Sequence, residues 1–228
     1  MNYIIAKLRT QCNPDKIDVD KDNPIGHYIL RPISFYLTVP CLRWGLSANQ
    51  TTFIGIGIGL AGCLMLGLGA YWSMITGAAL MILSDVFDVI DGNIARYKKE
   101  FSTYGAYIDA VVSGEIVYNL VPFAVGIGTG NILIGSICSI SMFARTVITE
   151  GYSATFQVKA RTFYKGNGGL WGFIYKYGLA LSVSMSWVLL IGAIINHSFW
   201  VLAFWTLMAV SEFIAVTAWT LVKAKDDN

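Results

Sequence analysis

After residue 45, long runs of apolar residues follow one another to the end of the chain, separated by short polar links. A helix needs about 20 mostly apolar residues to cross a bilayer, and six of these runs are long enough. They are residues 50–72, 74–96, 104–127, 131–150, 170–195 and 198–222. The pattern predicts an all-α fold, a bundle of six transmembrane helices within residues 46–228, preceded by a cytoplasmic N-terminal segment of residues 1–45.

The N-terminal segment contains one amphipathic stretch, residues 24–45. It mixes aromatic and aliphatic side chains with Arg31 and Arg43, and it is interrupted by Pro32 and Pro40. Because the stretch is too short and too charged to span, we expect an interfacial helix on the inner leaflet with its aromatic side chains at headgroup depth. A packed cytoplasmic helix is the alternative.

Basic residues alternate from link to link. The links near residues 73, 128 and 197 carry no Lys or Arg, whereas the N-terminal region, the links 97–103 and 151–169, and the C-terminal tail are basic. By the positive-inside rule, both termini and the basic links are cytoplasmic. We also expect an integral protein of the cytoplasmic (inner) membrane of a prokaryote, with the active site facing the cytoplasm.

Composition supports the membrane class. The chain is 55% hydrophobic and 13% charged, whereas soluble domains are about 25% charged. The formal net charge of +2 is too small to indicate nucleic-acid binding. The four cysteines form no C-x-x-C pair, so we interpret them as packing residues and predict neither a zinc site nor a disulfide framework.

Ionisable residues inside the predicted spans cluster near the cytoplasmic side. Such charges cost about 2.5–3.5 kcal/mol each on insertion scales and are usually functional. Asp88 lies eight residues before Arg96 in the second span, hence about 12 Å deep, and Asp91 lies about one turn shallower. Asp109 in the third span and Arg145 in the fourth each lie five residues from the inner end. All four side chains are expected in one leaflet.

One face of the second predicted span combines acidic and small residues. Asp88, Asp91, Gly92 and Ala95 follow the i, i+3, i+4, i+7 pattern of a helix face. Two side chains on this face are too small to obstruct a ligand. A phosphate group can therefore approach the helix backbone closely beside two carboxylates.

On the third predicted span, Gly105 and Asp109 are i and i+4, which places a gap beside a carboxylate. The two faces can oppose each other across a short hairpin. Three carboxylates in a low dielectric repel one another unless cations intervene, and hard oxygen ligands beside phosphate suit Mg²⁺ or Mn²⁺. We predict metal ligands at Asp88, Asp91 and Asp109, with the metal bridging to a substrate diphosphate.

Two other interpretations of these charges stay open. The acids could form buried salt bridges with nearby bases, although carboxylates outnumber the bases. The bases concerned are Arg96, Lys98 and Arg145. The acids could instead line an ion pathway, but the two halves show no broken-helix repeat. The outer half holds little beyond Glu115, Glu212 and His197, and for Glu212 we favour pairing with a neighbouring helix.

The spacing of the acidic and small residues resembles the signature of the CDP-alcohol phosphotransferase family, D-x2-D-G-x2-A-R-x8-G-x3-D-x3-D. In this chain it reads Asp88-Val-Ile-Asp91-Gly92-Asn-Ile-Ala95-Arg96, eight residues, then Gly105-Ala-Tyr-Ile-Asp109. Upstream, residues 46–52 are similar to the family segment T-P-N-x-x-T that opens the first span. With the six-span count, the resemblance covers nearly the whole chain.

The resemblance implies an enzyme of phospholipid biosynthesis type that transfers a phospho-alcohol group from a CDP-linked donor to an acceptor, with release of CMP. It also implies two divalent metal ions, Mg²⁺ or Mn²⁺, and a homodimer. The residues expected to bind CDP are Asn49, Thr52, Asp88, Gly92, Ala95, Arg96 and Gly105. Arg145 would face the acceptor, a lipid or a small molecule; an Arg that snorkels to the interface is the alternative. A lipid-linked substrate could enter sideways while the CDP group stays at the cytoplasmic face.

The chain departs from the family pattern at one position, where Ser113 replaces the fourth acid. In the family this acid is the proposed general base and a metal ligand, and a serine cannot act as a base at neutral pH unless another group takes its proton. Glu115 would lie about 200° around an α-helix from Ser113. Asp85, one turn deeper than Asp88, is the remaining carboxylate with reach, so Asp109 and Asp85 are the candidate catalytic residues; a structural role for Asp85 is the alternative.

A catalytically silent relative is the rival hypothesis. Such a protein would bind a CDP-nucleotide or a lipid headgroup, or would scaffold partners in the membrane. The complete set of acidic, glycine and arginine positions favours the enzyme, since a silent protein has no need for all of them together.

Overall fold

The computed structural model describes residues 2–10, 25–156 and 185–226, and these residues contain no β-strand. The helices are α1 (Asn2–Thr10), α2 (Arg31–Arg43), α3 (Ala48–Gly67), α4 (Tyr71–Lys98), α5 (residues 103–128), α6 (Ile132–Phe156), α7 (Met185–Ile194) and α8 (Ser198–Asp226). The predicted all-α fold is therefore confirmed.

Helices α3 and α4 form an antiparallel hairpin in which the two backbones touch. A Cβ added to Gly62 would lie 3.1 Å from the carbonyl oxygen of Gly77, and one added to Gly77 would lie 2.8 Å from the carbonyl oxygen of Gly62. Small residues permit this close approach between helices in a membrane, where packing rather than water drives association. Further along, the Ser84 hydroxyl donates to the carbonyl of Gly55 at 2.9 Å. The hairpin thus fixes the acidic end of α4 against the start of α3.

Helix α5 consists of three consecutive segments. They are the α-helical Thr103–Tyr107, the π-helical Ile108–Val117 and the α-helical Tyr118–Gly128. The first segment begins at Ser102, whose hydroxyl accepts a hydrogen bond from the backbone N–H of Gly105 at 2.9 Å. Because π-helical turns close by i→i+5 bonds and are wider than α-helical turns, Asp109 lies in a segment with a different angular spacing from the one the sequence predicts.

The second half of the bundle is built on close contacts between α5, α6 and α8. Gly126 and Gly135 bring α5 and α6 so close that a Cβ added to either would lie 2.9 Å from a backbone carbon of the other. A continuous apolar core runs from α3 through α5 to α7 and α8 and includes Leu66, Val125, Leu189 and Leu202. Helix α7 is the described end of the fifth predicted span; the rest of that span lies outside the described residues.

The segment before the bundle packs against α4. A π-helical turn at Gly26–Leu30 leads into α2, which buries one face. The buried residues of α2 are Ser34, Phe35, Thr38, Val39 and Cys41. Both prolines are accommodated in the helix: Pro32 lies in the first turn of α2, and α2 continues through Pro40. Packing against the bundle is therefore observed, while the depth of α2 in the membrane stays a prediction.

Four helices of the described residues, α3, α4, α6 and α8, are long and apolar enough to cross a membrane. They correspond to the first, second, fourth and sixth predicted spans. Large apolar side chains on their outer faces are exposed, among them Leu64, Leu133 and Leu207 at 71%, 74% and 68%. This pattern is typical of a surface that faces lipid and indicates an integral membrane protein. The count of six spans and the side of the termini stay predictions.

Candidate functional site

The predicted acidic cluster forms where α4 ends and α5 begins. The carboxyl groups of Asp88 and Asp109 lie in hydrogen-bonding contact across the two helices, and Asp91 and Asp85 are close enough to act on Asp88 electrostatically. The opposition of the two helix faces, inferred from sequence spacing, thus occurs in the structure. The metal-binding role of these residues stays a prediction.

The start of α3 reaches this cluster through Thr52. Its hydroxyl donates to Oδ2 of Asp91 at 2.5 Å, and the two residues are only 6% and 5% exposed. The buried hydrogen bond fixes the orientation of the Asp91 carboxylate. Thr52 therefore contacts the signature directly, in keeping with its place in the upstream segment.

Asn49, one turn earlier on α3, packs against Gly105 at the start of α5. A Cβ added to Gly105 would overlap with Oδ1 of Asn49 and would lie 2.9 Å from the hydroxyl oxygen of Ser102. The space predicted beside Asp109 is thus occupied by the Asn49 side chain. Gly105 serves the close approach of α3 and α5, and it brings Asn49 to the rim of the acidic cluster.

Arg96 folds back over the glycine of the signature. Its two terminal guanidinium nitrogens lie 3.3 and 3.4 Å from the position that a Cβ on Gly92 would occupy. The same side chain donates to Oδ1 of Asn93 at 2.9 Å. Gly92 therefore leaves room for the guanidinium of Arg96 one turn from Asp88, on the helix face expected to bind CDP.

Two oxygens of the cluster have no hydrogen-bond partner. Oδ1 of Asp109 and Oδ2 of Asp85 are buried and unpartnered among the described residues. The side chain of Asp88, next to these oxygens, is exposed. Unpartnered buried carboxylate oxygens are rare and point to a missing ion, water or ligand.

As positioned, no three His, Cys, Asp or Glu side chains of the described residues are close enough to one point to hold a metal ion. Asp88 and Asp109 are in mutual contact, whereas Asp91 is turned to Thr52. Carboxylate ligands that suit a hard cation are therefore present: Asp88 and Asp109 lie together, and Asp91 lies beside them.

Asp85 is the deepest of the acids and has one engaged oxygen. Its carboxylate accepts a hydrogen bond from the Ser186 hydroxyl on α7, while Oδ2 stays unpartnered among the described residues. Tyr118 on α5 is close enough to interact electrostatically with Asp85 and with Arg145. Asp85 thus connects the signature to the second half of the bundle and has a free acceptor oxygen.

Arg145 lies between α6 and α8, where it forms an ion pair with Glu212 at 3.3 Å; the two side chains are 27% and 18% exposed. The favoured pairing of Glu212 with a neighbouring helix is confirmed. Lys98, another base considered as a partner for the acids, donates to the carbonyl of Leu46 at 3.0 Å. The salt-bridge interpretation of the signature is weakened, because these two bases have other partners.

Ser113 and Glu115 both lie in the π-helical segment Ile108–Val117. The angle of about 200° between them assumed an α-helix, and that assumption is wrong here because the segment is π-helical. The wider turns of a π-helix change this angle only modestly, because two residues still span close to half a turn.

The residues that hold Arg96 are not predictable from the signature. Asn93 is 2% exposed and donates to Ser34 Oγ at 3.0 Å and to Thr38 Oγ1 at 3.2 Å, both on α2. One signal was available: Ser34 and Thr38 are i and i+4, so they form a polar strip on one face of an otherwise apolar helix. No local pattern in the sequence pairs that strip with Asn93.

The fold is similar to crystal structures of a phosphatidylinositol phosphate synthase from Mycobacterium tuberculosis. The form with CDP-DAG bound is 19% identical, with a TM-score of 0.55 over 85% of this chain and 94% of that chain. The apo form is 20% identical, with a TM-score of 0.51 over 79% and 93%. The complex with manganese and citrate is 21% identical, with a TM-score of 0.52 over 82% and 88%. At these identities the likeness shows the fold alone.

No curated protein sequence gives a significant match to this chain. The family model of CDP-alcohol phosphatidyltransferase matches residues 46–222. The match covers most of the chain and includes the acidic cluster, Arg96, Thr52 and Asn49. The chain therefore belongs to the CDP-alcohol phosphatidyltransferase family.

Proposed function

We propose that this protein transfers a phospho-alcohol group from a CDP-linked donor to an acceptor, releasing CMP, in a reaction that depends on Mg²⁺ or Mn²⁺. The observation that carries the proposal is the contact between Asp88 and Asp109 across α4 and α5, with an unpartnered oxygen on Asp109. A cluster of this kind inside a membrane bundle is costly unless a ligand uses it.

The donor site would be formed by the first three helices of the bundle. Asn49 and Thr52 lie against Gly105 and Asp91, and Arg96 lies over Gly92. These side chains would contact the CDP group, the guanidinium as a partner for the diphosphate. The small side chains of Gly92 and Ala95 would let the diphosphate approach α4. The structurally similar synthase was crystallised with CDP-DAG, which supports a CDP-linked donor for this chain.

The residues present fit a hard divalent cation in chemistry. All donors are carboxylate oxygens, which suit Mg²⁺ or Mn²⁺, and Asp109 has an oxygen without a partner among the described residues. Asp88 and Asp109 would hold the ion, with Asp91 as the third expected ligand and the diphosphate completing the coordination. When bound, the metal supplies a positive charge that offsets the charge of the diphosphate during transfer. A manganese complex of the similar synthase agrees with this assignment.

On the acceptor side we assign Asp85 as the surrogate for the missing fourth acid. Its free Oδ2 can accept a proton from an incoming hydroxyl, while Ser186 holds the other oxygen. In a loose transition state for phosphoryl transfer, the bond to the nucleophile is only slightly formed, so the hydroxyl needs little activation. A base at a different place from the family's fourth acid is therefore sufficient. Arg145 forms an ion pair with Glu212. To contact the acceptor, the guanidinium would have to bind it alongside Glu212 or in place of Glu212.

We place the site at the cytoplasmic face, since the links at 97–103 and 151–169 are basic. Cysteine introduced at Lys98 should react with an impermeant thiol reagent in inside-out vesicles and not in intact cells. Labelling from outside intact cells would contradict this orientation. The homodimer expected from the family resemblance is a separate proposal, tested by the mass of the purified complex.

The most informative experiment is mass spectrometry of small molecules and lipids that copurify with the protein, because a bound cytidine nucleotide would identify the class and an attached alcohol would identify the donor. Calorimetric titration of CDP in the presence of Mn²⁺ then tests the site. Binding should be lost in Asp88→Asn, Asp91→Asn and Asp109→Asn, and retained in Glu150→Gln, which removes an exposed carboxylate of α6. Unchanged binding in all three Asn variants would refute the site.

The silent family member remains the second candidate, and Ser113 is the observation that favours it. A silent protein would bind CDP and release no CMP with any acceptor. Ser113→Asp is the discriminating variant. If the native chain uses no neutral or anionic acceptor while Ser113→Asp gains transfer to simple alcohols, the native protein is the silent form.

A further inference from the structure

Four residues connect α2 to the donor site through hydrogen bonds, and we refer to Ser34, Thr38, Asn93 and Arg96 as the Asn93 bridge. Asn93 donates from Nδ2 to Ser34 Oγ at 3.0 Å and to Thr38 Oγ1 at 3.2 Å. Its Oδ1 accepts from a guanidinium nitrogen of Arg96 at 2.9 Å. Ser34 and Thr38 are 0% exposed and Asn93 is 2% exposed, so water has little access to these three residues, whereas Arg96 is half-buried.

The direction of every hydrogen bond in the bridge is fixed by the backbone of α2. Ser34 donates its hydroxyl proton to the carbonyl of Arg31 at 2.8 Å, and Thr38 donates its own to the carbonyl of Ser34 at 2.6 Å. Each hydroxyl has one proton, so both oxygens can only accept from Asn93. They therefore require the NH₂ end of the carboxamide, which leaves Oδ1 to face Arg96.

The bridge determines where the guanidinium of Arg96 lies. One nitrogen is held by Asn93, and the group as a whole lies over Gly92, 3.3 and 3.4 Å from a Cβ that Gly92 lacks. An arginine side chain loses rotamer freedom when a ligand orders it, and that loss weakens binding. In the Asn93 bridge the side chain is ordered before the ligand arrives.

We propose that Asn93 is a positioning residue: it holds Arg96 in place for the diphosphate of the CDP-linked donor. Helix α2 in turn holds Asn93 in place through Ser34 and Thr38. This inference rests on the proposed function, since it assigns Arg96 to the donor. Asn93 occupies a position that the family signature leaves open. The interfacial segment thus becomes part of the donor site without contacting the donor.

The first test measures CDP binding by calorimetry with Mn²⁺ on the full chain. Asn93→Ala should weaken binding about tenfold, near the lower limit for one hydrogen bond to a charged group. In an Arg96→Gln background the same substitution should have no further effect, because its partner is gone. Thr38→Val repeats the test with a milder change if Asn93→Ala does not fold. Ser84→Ala is the matched control, since it removes a different buried hydrogen bond of α4.

Effects of Asn93→Ala and Arg96→Gln that add would show that Asn93 acts through the fold instead, and would overturn the proposal. So would equal weakening in Ser84→Ala. A thermal melt of each variant separates loss of binding from loss of folding.

The second test needs no donor. Phenylglyoxal modifies arginine, and peptide mass spectrometry gives the rate at Arg96 relative to that at Arg43, an exposed internal reference. We expect a several-fold faster reaction of Arg96 in Asn93→Ala and in Thr38→Val, and no change in Ser84→Ala. If the native chain binds no CDP, the proposed function fails, and the modification rates alone decide the role of Asn93. Unchanged rates at Arg96 would overturn it.

Discussion

Buried charge is handled differently in two regions of this molecule. Between α6 and α8, Arg145 and Glu212 form an ion pair of opposite charges at 3.3 Å. Where α4 meets α5, the two acidic groups of Asp88 and Asp109 lie side by side, and oxygens of Asp85 and Asp109 have no partner among the described residues. The first arrangement stabilises the bundle, whereas the second works against it.

This difference separates structural charge from functional charge. A pair of opposite charges needs no ligand to be tolerated in a low dielectric, whereas neighbouring carboxylates repel until a cation arrives. Stability and activity should therefore respond in opposite ways to substitutions in the two regions.

The largest expected effect is at Asp109. Asp109→Asn should lower CMP release by about 10³-fold or more. The substitution removes an expected metal ligand, and with it the positive charge that would stabilise the transition state. The midpoint of thermal unfolding should stay equal or rise, because one of two like charges is removed. Enzyme assays and thermal melts on the same sample measure both. A lower midpoint with retained turnover would make Asp109 a structural residue.

Asp85 is expected to come next. If Asp85 supplies the base, Asp85→Asn should lower transfer by about 10²–10⁴-fold, the range for loss of a general base, while Ser113→Ala retains most of the activity. Rates of CMP release with a panel of hydroxyl and anionic acceptors provide the measurement. Equal rates in Asp85→Asn and the native chain would exclude Asp85 as the surrogate.

In the ion pair, stability should fall. Glu212→Gln leaves Arg145 without its partner and should lower the free energy of unfolding by about 1–3 kcal/mol, between the values for exposed and fully buried pairs. The double variant Arg145→Leu with Glu212→Leu should recover much of that loss, because no uncompensated charge remains. Denaturant titration in detergent tests both. A double variant as unstable as Glu212→Gln would show that the pair has a further partner.

The smallest effects concern the two signature glycines. Gly105→Ala places a methyl group on Asn49 and Ser102 and should weaken CDP binding about tenfold, since overpacking typically costs about 1–3 kcal/mol. Gly92→Ala meets only the flexible end of Arg96 at 3.3 Å or more and should weaken binding less. Calorimetry on the pair of variants ranks them. The reverse order would show that added volume at Gly92 disturbs the diphosphate more than overpacking at Gly105 disturbs the contact between α3 and α5.

Local pattern predicted most of the bundle, because apolar length is nearly sufficient to identify a span. The first, second, fourth and sixth predicted spans correspond to long apolar helices. The contact of Asp88 with Asp109 also followed from sequence, since both residues flank one short link. The π-helical segment Ile108–Val117 was not predictable, because its residues show no period that distinguishes wide turns from ordinary ones.

The contacts of α2 were beyond sequence reasoning for another reason. Asn93 and Ser34 are 59 residues apart, and Asn93 and Thr38 are 55 apart. Local periodicity gives the polar strip on α2 but does not indicate which helix covers it. Only tertiary packing pairs the strip with Asn93, and this pairing also determines the orientation of Arg96.

The contact between Thr52 and Asp91 bears on the order in which the parts of the site assemble during synthesis. The two residues are 39 apart in sequence, and Asp109 follows soon after, so every residue assigned to the donor precedes α6. Chains fold in part during synthesis, N-terminal units first, and contacts between near neighbours in sequence form fastest. The donor half of the site can therefore assemble while the ribosome is still adding the later helices, which would complete the acceptor side last.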